Sequence, residues 1–177
     1  MIPGYVPAPN ERDLYKIGQA VRAAGDIVNN CVYVVGQSAV AVSHTGDANE
    51  FTFATVTVPA KSMGPNGRVR ITTLWTHTNS ANNKTLKIKF GSTTYKTIMD
   101  TASATDRFQV EIANRNATNS QVGSASDGTG FGASANAVVT SSEDTTANVT
   151  ITITGQLAAG AETVTLESYL VELMSKI

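Results

Sequence analysis

At 177 residues, with a formal net charge of −1 and only 15% charged side chains, the chain has room for one domain and a short appendage. That length buries a core without disulfides or metal, and a charge this near zero excludes a broad electrostatic pull toward nucleic acid or an anionic membrane. A single cysteine, Cys31, excludes an internal disulfide framework, and no apolar run approaches the roughly 20 residues that span a bilayer.

Polarity comes from Thr, Ser and Asn rather than from Lys and Glu, and β-branched threonine suits a pleated surface better than a helix. Residues 1–9 hold three of the five prolines together with Gly4, which predicts an extended segment. It lacks the basic and apolar regions of a signal peptide, so synthesis and folding in a cytoplasm are expected. Ile2, Tyr5 and Val6 are apolar. Either they belong to a frayed terminus, or they form an anchor strip whose pre-set prolines reduce the entropy lost on docking.

Asn10 opens a predicted helix over residues 10–29, with Glu11 and Asp13 in its first turn to satisfy free backbone donors and complement the dipole. Leu14, Ile17, Val21, Ala24 and Val28 follow steps of 3, 4, 3 and 4, the spacing of a coiled-coil seam. Two arrangements satisfy this stripe. It meets its equivalents on sister chains, the reading favoured, or it lies as an amphipathic helix on its own β-domain. Gly25, Asn29 and Asn30 weaken or stop the helix.

From residue 30 to 177 the period changes to 2. Strands are predicted at Cys31–Val35, Ala39–Ser43, Phe51–Val58, Arg68–His77, Lys84–Phe90, Thr93–Met99, Phe108–Ala113, Ala135–Thr140, Asn148–Thr154 and Thr163–Met174. Cys31 reads as a buried thiol at the start of the first. Val69, Ile71, Thr73 and Trp75 share one face, while the phase slips between Phe53 and Val56. The last strand is apolar on both sides, with Val164, Leu166 and Leu170 on one and Tyr169, Val171 and Leu173 on the other, so a neighbouring subunit is one candidate for its second cover. Short strands separated by Gly, Pro, Asn and Asp turns define an all-β chain, an antiparallel jelly-roll-like β-sandwich preceded by a short α-helix.

The stretch 114–135 is rich in Gly, Ser and Asn, and a loop this long serves binding or is disordered unless Gln121–Gly123 makes a short strand within it. Asn116, Asn119, Asp127 and Phe131 are its ligand candidates. Trp75, Tyr95 or Phe131 would offer a stacking face to a sugar, although Trp75 is in phase with the core.

No catalytic constellation emerges. His44 and His77 are far apart in sequence, and a triad drawn from His44, Asp47 and a serine lacks a nucleophile elbow. Asp100, Asp106, Asp127 and Asp144 are scattered and build no calcium loop, and no His/Cys cluster has zinc spacing. Gly128, Gly130 and Gly132 follow a polar loop and open no helix, unlike a phosphate-binding run. Lys84, Lys87, Lys89 and Lys96 are expected as solvated guards of strand faces and edges, or as a weak patch for an acidic surface or glycan. The glycosylation-type tripeptides at Asn83, Asn116 and Asn148 carry no weight without secretion. Neither an enzyme nor a cofactor is expected.

The order of segments resembles a known kind of protein. The helix APNERDLYKIGQAVR leads to VTVPAKSMGPNGRVRITTLWTHTNSANNKTLKIKFG, and the chain closes with ANVTITITGQLAAGAETVTLESYLVELM. This resembles bacteriophage virion proteins of the tail-fibre, head-fibre and head-decoration type, in which an anchoring helix carries a jelly-roll head. The resemblance implies a trimeric, non-enzymatic appendage of the virion, made in the host cytoplasm and attached to tail, portal-region or capsid proteins through its N-terminal segment. Fibre and head-decoration (cement) roles are nearly balanced, the fibre slightly ahead. The alternative is a module that binds a host surface glycan. Neither nucleic acid nor membrane insertion is expected.

Overall fold

The computed structural model describes residues 32–127 and 133–174. The anchor positions Ile2, Tyr5 and Val6, the helix with its seam from Leu14 to Val28, the thiol of Cys31, and Phe131 lie outside the described residues.

Eleven strands make up the described chain: β1 (Val32–Ser38), β2 (Val42–Thr45), β3 (Phe51–Val58), β4 (Arg68–His77), β5 (Lys84–Phe90), β6 (Thr93–Asp100), β7 (Thr105–Asn114), β8 (Gln121–Gly123), β9 (Val139–Ser141), β10 (Val149–Leu157) and β11 (Thr163–Met174). All pairings are antiparallel. One sheet runs β1-β11-β4-β7-β8-β9, with β2 also paired to β11, and the other runs β3-β10-β5-β6. Apart from the added β8 and β9, and with β1 and β2 as one interrupted strand, successive strands distribute between the layers as two nested Greek keys do. The expected jelly-roll-like sandwich is the fold.

Alternation explains the core. Along β4, Val69, Ile71, Thr73, Trp75 and His77 are buried, while Arg68 and Leu74 are exposed and Arg70, Thr72 and Thr76 half-buried. Val110 and Ile112 of β7, Leu86, Ile88 and Phe90 of β5, and Ile151 and Ile153 of β10 complete the inner faces. Trp75 meets Phe53 edge-to-face at 5.0 Å, a geometry the ring quadrupoles favour.

Two bulges decide which residues face inward. In β3 the pairing shifts at Phe53, opposite Ile153 and Thr154, which accounts for the phase slip between Phe53 and Val56. In β11 the pairing with β4 shifts at Glu167. The extra residue puts Val164, Leu166, Val171 and Leu173 all in the core. The assignment of Val171 and Leu173 to the face opposite Val164 is therefore corrected. A third shift, in β1 between Val34 and Gly36, brings Gly36 against β3. A Cβ there would stand 2.7 Å from Val56 Cγ1, closer than packed carbon atoms allow.

Other expectations need adjustment. The second strand begins at Val42 rather than Ala39, and the strand expected at Ala135–Thr140 is only Val139–Ser141. Gln121–Gly123 does form a strand, β8, because its residues continue the ladder beside Ile112 and Asn114 of β7. Lys84 and Lys96 are not solvated: they are 0% and 1% exposed. Lys84 is in phase with Leu86, Ile88 and Phe90, so the pleat turns it inward. Burial lowers the pKa of Lys96, an effect that Asp127 opposes.

Candidate functional site

Cross-strand partners share a face of a sheet, so the register identifies what the outer surface of the larger sheet presents. Val32 stands opposite Met174, and Val34 opposite Glu172, whose neighbours Val171 and Leu173 point into the core. Val32 and Val34 therefore face outward, each 55% exposed. Along the same surface, Val40 is 76% and Leu74 39% exposed. An open groove of about 860 Å³ runs there, lined by Ser38, Val40, Thr72, Leu74, Arg107 and Leu170. The part of this face in the rows of Val32 and Val34 is charged: Arg68 and Arg70 reach Glu111 at 2.6 and 3.6 Å, and Arg70 reaches Glu172, the partner of Val34, at 3.8 Å.

Among the described residues β1 is the end strand of its sheet. End strands are normally protected by charge, proline or brevity. The sequence of β1, VYVVGQS, has no charge and no proline over its seven residues. The opposite end strand, β9, has only three.

The outer face of the smaller sheet is polar. Glu50 accepts from Lys87 Nζ at 3.0 Å, Lys89 Nζ at 2.6 Å and Thr154 Oγ1 at 2.6 Å. These donors, Lys89 foremost, hold its pKa at about 2. Lys87 and Lys89 thus guard a strand face as expected, but paired to a carboxylate.

At one end of the sandwich, four loop-proximal groups converge. His77, the last residue of β4, has no exposed side-chain surface, and its Nε2 lies 2.9 Å from Asp106 Oδ2 and 3.4 Å from Asp100 Oδ2. Ser103 Oγ is 3.5 Å from the same Nε2 and also donates to Asp100 Oδ2. Nearby, Lys84 Nζ donates to Ser80 Oγ, Asn82 O and Thr101 O, and lies 3.6 Å from Glu162. The Ser80 hydroxyl, with Asn82 and Lys84, holds the Glu162 carboxyl below the usual range. Sequence distance hid this cluster, so the reading of Asp100 and Asp106 as scattered is corrected. The signal was their phase: His77 follows Trp75 inward on β4, and Asp106 precedes Phe108 inward on β7. The cluster is not arranged as a nucleophilic triad, because serine and both carboxylates address one ring nitrogen, whereas proton relay needs them on opposite nitrogens. His44 stacks on Phe51 at 4.7 Å and lies 3.4 Å from Asp47, while the adjacent Ser43 hydroxyl is engaged with Thr165.

Three of the four loop candidates are described. Asn116, at φ 56°, and Asn119 are exposed in the β7–β8 turn. Asp127 follows β8 and accepts from Asn136 Nδ2 at 2.5 Å. Trp75 and Tyr95 are each 0% exposed, so neither presents a ring to a sugar, and the Tyr95 hydroxyl is hydrogen-bonded with Ser141 at 2.6 Å. A buried amide network closes the other end of the sandwich. Asn114 Nδ2 donates to Met63 O, Gly64 O and Thr145 Oγ1, and Asn114 Oδ1 accepts from Gln121 Nε2. Among the described residues no helix is long and apolar enough to cross a membrane.

No protein-family model matches the chain, and no curated protein matches it. Solved structures offer distant likenesses. The CBM2 module of the evolved Dit of Lactobacillus casei BL23 phage J-1 aligns with a TM-score of 0.38 at 7% identity, over 82% of this chain and 98% of that one. A chain of infectious bursal disease virus Gt strain aligns at 0.36 and 10% identity, over 82% of this chain and 33% of its own length. The VP2 subviral particle of infectious bursal disease virus aligns at 0.29 and 10%, over 81% and 40%. All three come from a phage or a virus.

Proposed function

We propose that the chain is a non-enzymatic virion structural protein: a homotrimeric jelly-roll appendage held to the particle through residues 1–28. The observation that carries this reading is the end strand β1, which has no charge or proline and exposes Val32 and Val34, together with the exposed Val40 and Leu74 along the same sheet. The occupant of that edge is a second copy of the chain. In sequence β1 follows the 3-4-3-4 stripe that ends at Val28, so a self-association seam would run directly into a self-association edge. The resemblance to phage appendage proteins supports the same assignment, with tail or head fibre slightly ahead of head decoration. The partners are then sister chains and a tail, portal-region or capsid protein.

Expression of a chain lacking residues 1–28 tests the division of labour. The β-domain is expected to keep its far-ultraviolet β signature, since the described core lies within residues 32–174, and to be missing from purified particles. Normal incorporation of the folded truncated protein refutes the attachment role. A glycan-binding role finds less support, because Trp75 and Tyr95, two of its three stacking candidates, are buried.

A further inference from the structure

We propose that His77, Asp100 and Asp106 hold one divalent transition-metal ion, with zinc the first candidate, and that this ion clips the two sheets together at one end of the sandwich. One donor atom from each residue lies within 4.8 Å of the others. Around a tetrahedral zinc ion, ligand atoms at about 2.0–2.2 Å are separated from one another by roughly 3.3–3.6 Å. The Nε2–Oδ2 separation of 3.4 Å to Asp100 falls on such an edge, and the 2.9 Å to Asp106, now a hydrogen bond, would open slightly.

Electrostatics point the same way. Nε2 carries at most one proton and satisfies one carboxylate by donation, yet two are aimed at it. Among the described residues, the ion-pair contacts of Asp100 and Asp106 are both with His77 alone. Like-charged carboxylates drawn together, with side chains only 24% and 22% exposed, repel, and a cation between them relieves that repulsion. The imidazole is fully buried and makes its polar contacts through Nε2, the nitrogen that faces the cluster, while Nδ1 on the other side of the ring has no hydrogen-bond partner. Asp100 is also pre-oriented: Thr101 N–H donates to Oδ1 at 2.8 Å, and Oδ2, which turns to the cluster, accepts from the Ser103 hydroxyl, a bond that an ion would share or displace.

One imidazole and two carboxylates, without thiolate, suit zinc or manganese better than a soft ion, and the imidazole discriminates against calcium and magnesium. The ligands come from the end of β4, the end of β6 and the start of β7, so the ion would join the larger sheet to the end strand of the smaller one.

The full chain, dialysed against EDTA and then into metal-free buffer near neutral pH, is titrated with zinc chloride by calorimetry and followed by thermal unfolding. One ion per chain and a rise in Tm are expected, with manganese weaker. Asp100→Asn and Asp106→Asn should each weaken zinc binding by at least tenfold, whereas Asp144→Asn should not. His77→Gln is the stricter variant, and Asp100→Asn, at a partly exposed position, keeps the test valid if the buried substitution fails to fold. No saturable binding of zinc or manganese, wild-type affinity in both aspartate variants, or equal stabilisation by magnesium alone overturns the proposal.

Discussion

Replacing Val32 and Val34 together with lysine tests the self-association surface. Each valine is 55% exposed in the single chain. Full burial of a valine side chain is worth about 2 kcal/mol, so covering the exposed half contributes about 1 kcal/mol per residue and about 2 for the pair. Losing that weakens each subunit contact by roughly 30-fold, and the lysines add the cost of desolvating charge in an apolar contact. The fold itself should lose little, since outward-facing substitutions usually stay within about 0.5 kcal/mol. Sedimentation velocity across a concentration series reads the outcome against the 18.5 kDa chain. The wild type is expected near three chain masses, and the double variant near one at low micromolar concentration with an unchanged Tm. A wild type that stays at one chain mass at high concentration, or a variant that assembles as the wild type does, refutes the surface assignment.

Acid sensitivity should trace partly to Glu50. Its folded pKa is lowered from 4.5 to about 2, so its stabilising contribution is complete above the unfolded value and disappears as pH falls through about 2. After allowance for solvent screening at this exposed residue, Glu50→Gln should cost about 1 kcal/mol at neutral pH and flatten the stability profile between those two values; an identical acid limb in denaturant titrations would rule the network out as a contributor. Asn114→Ala strips the donor from two carbonyls and the acceptor from Gln121, so a loss of about 2–4 kcal/mol in chemical denaturation is expected, and a change below the measurement error would mean that water replaces the amide at no cost. Loss of particle incorporation without residues 1–28, and saturable zinc binding at His77, complete the set.

Much of the sandwich was legible because alternation and turn residues are local. Phe51–Val58, Arg68–His77, Lys84–Phe90 and Thr163–Met174 have the bounds their period of 2 predicts. The threonines that fill their outer faces carry strand propensity without adding apolar surface. What went unread involved either one extra residue or a contact between distant strands. The bulge at Glu167 reverses the facing of the second half of β11, and nothing in the sequence near it announces the shift. Lys84 looked solvated because lysine usually is, although its phase with Leu86 already turned it inward.

The sequence by itself determined an all-β set of short antiparallel strands and the inward apolar residues of β4 and β5. Those properties are set by local sterics and by burying one face of each strand. Only the tertiary structure decided that His77, Asp100, Ser103 and Asp106 meet, that Asn114 and Gln121 share a buried network, and that Val32 and Val34 face outward. These depend on strand order and register across long loops, where a shift of one residue moves a side chain to the other face and no local pattern records the partner.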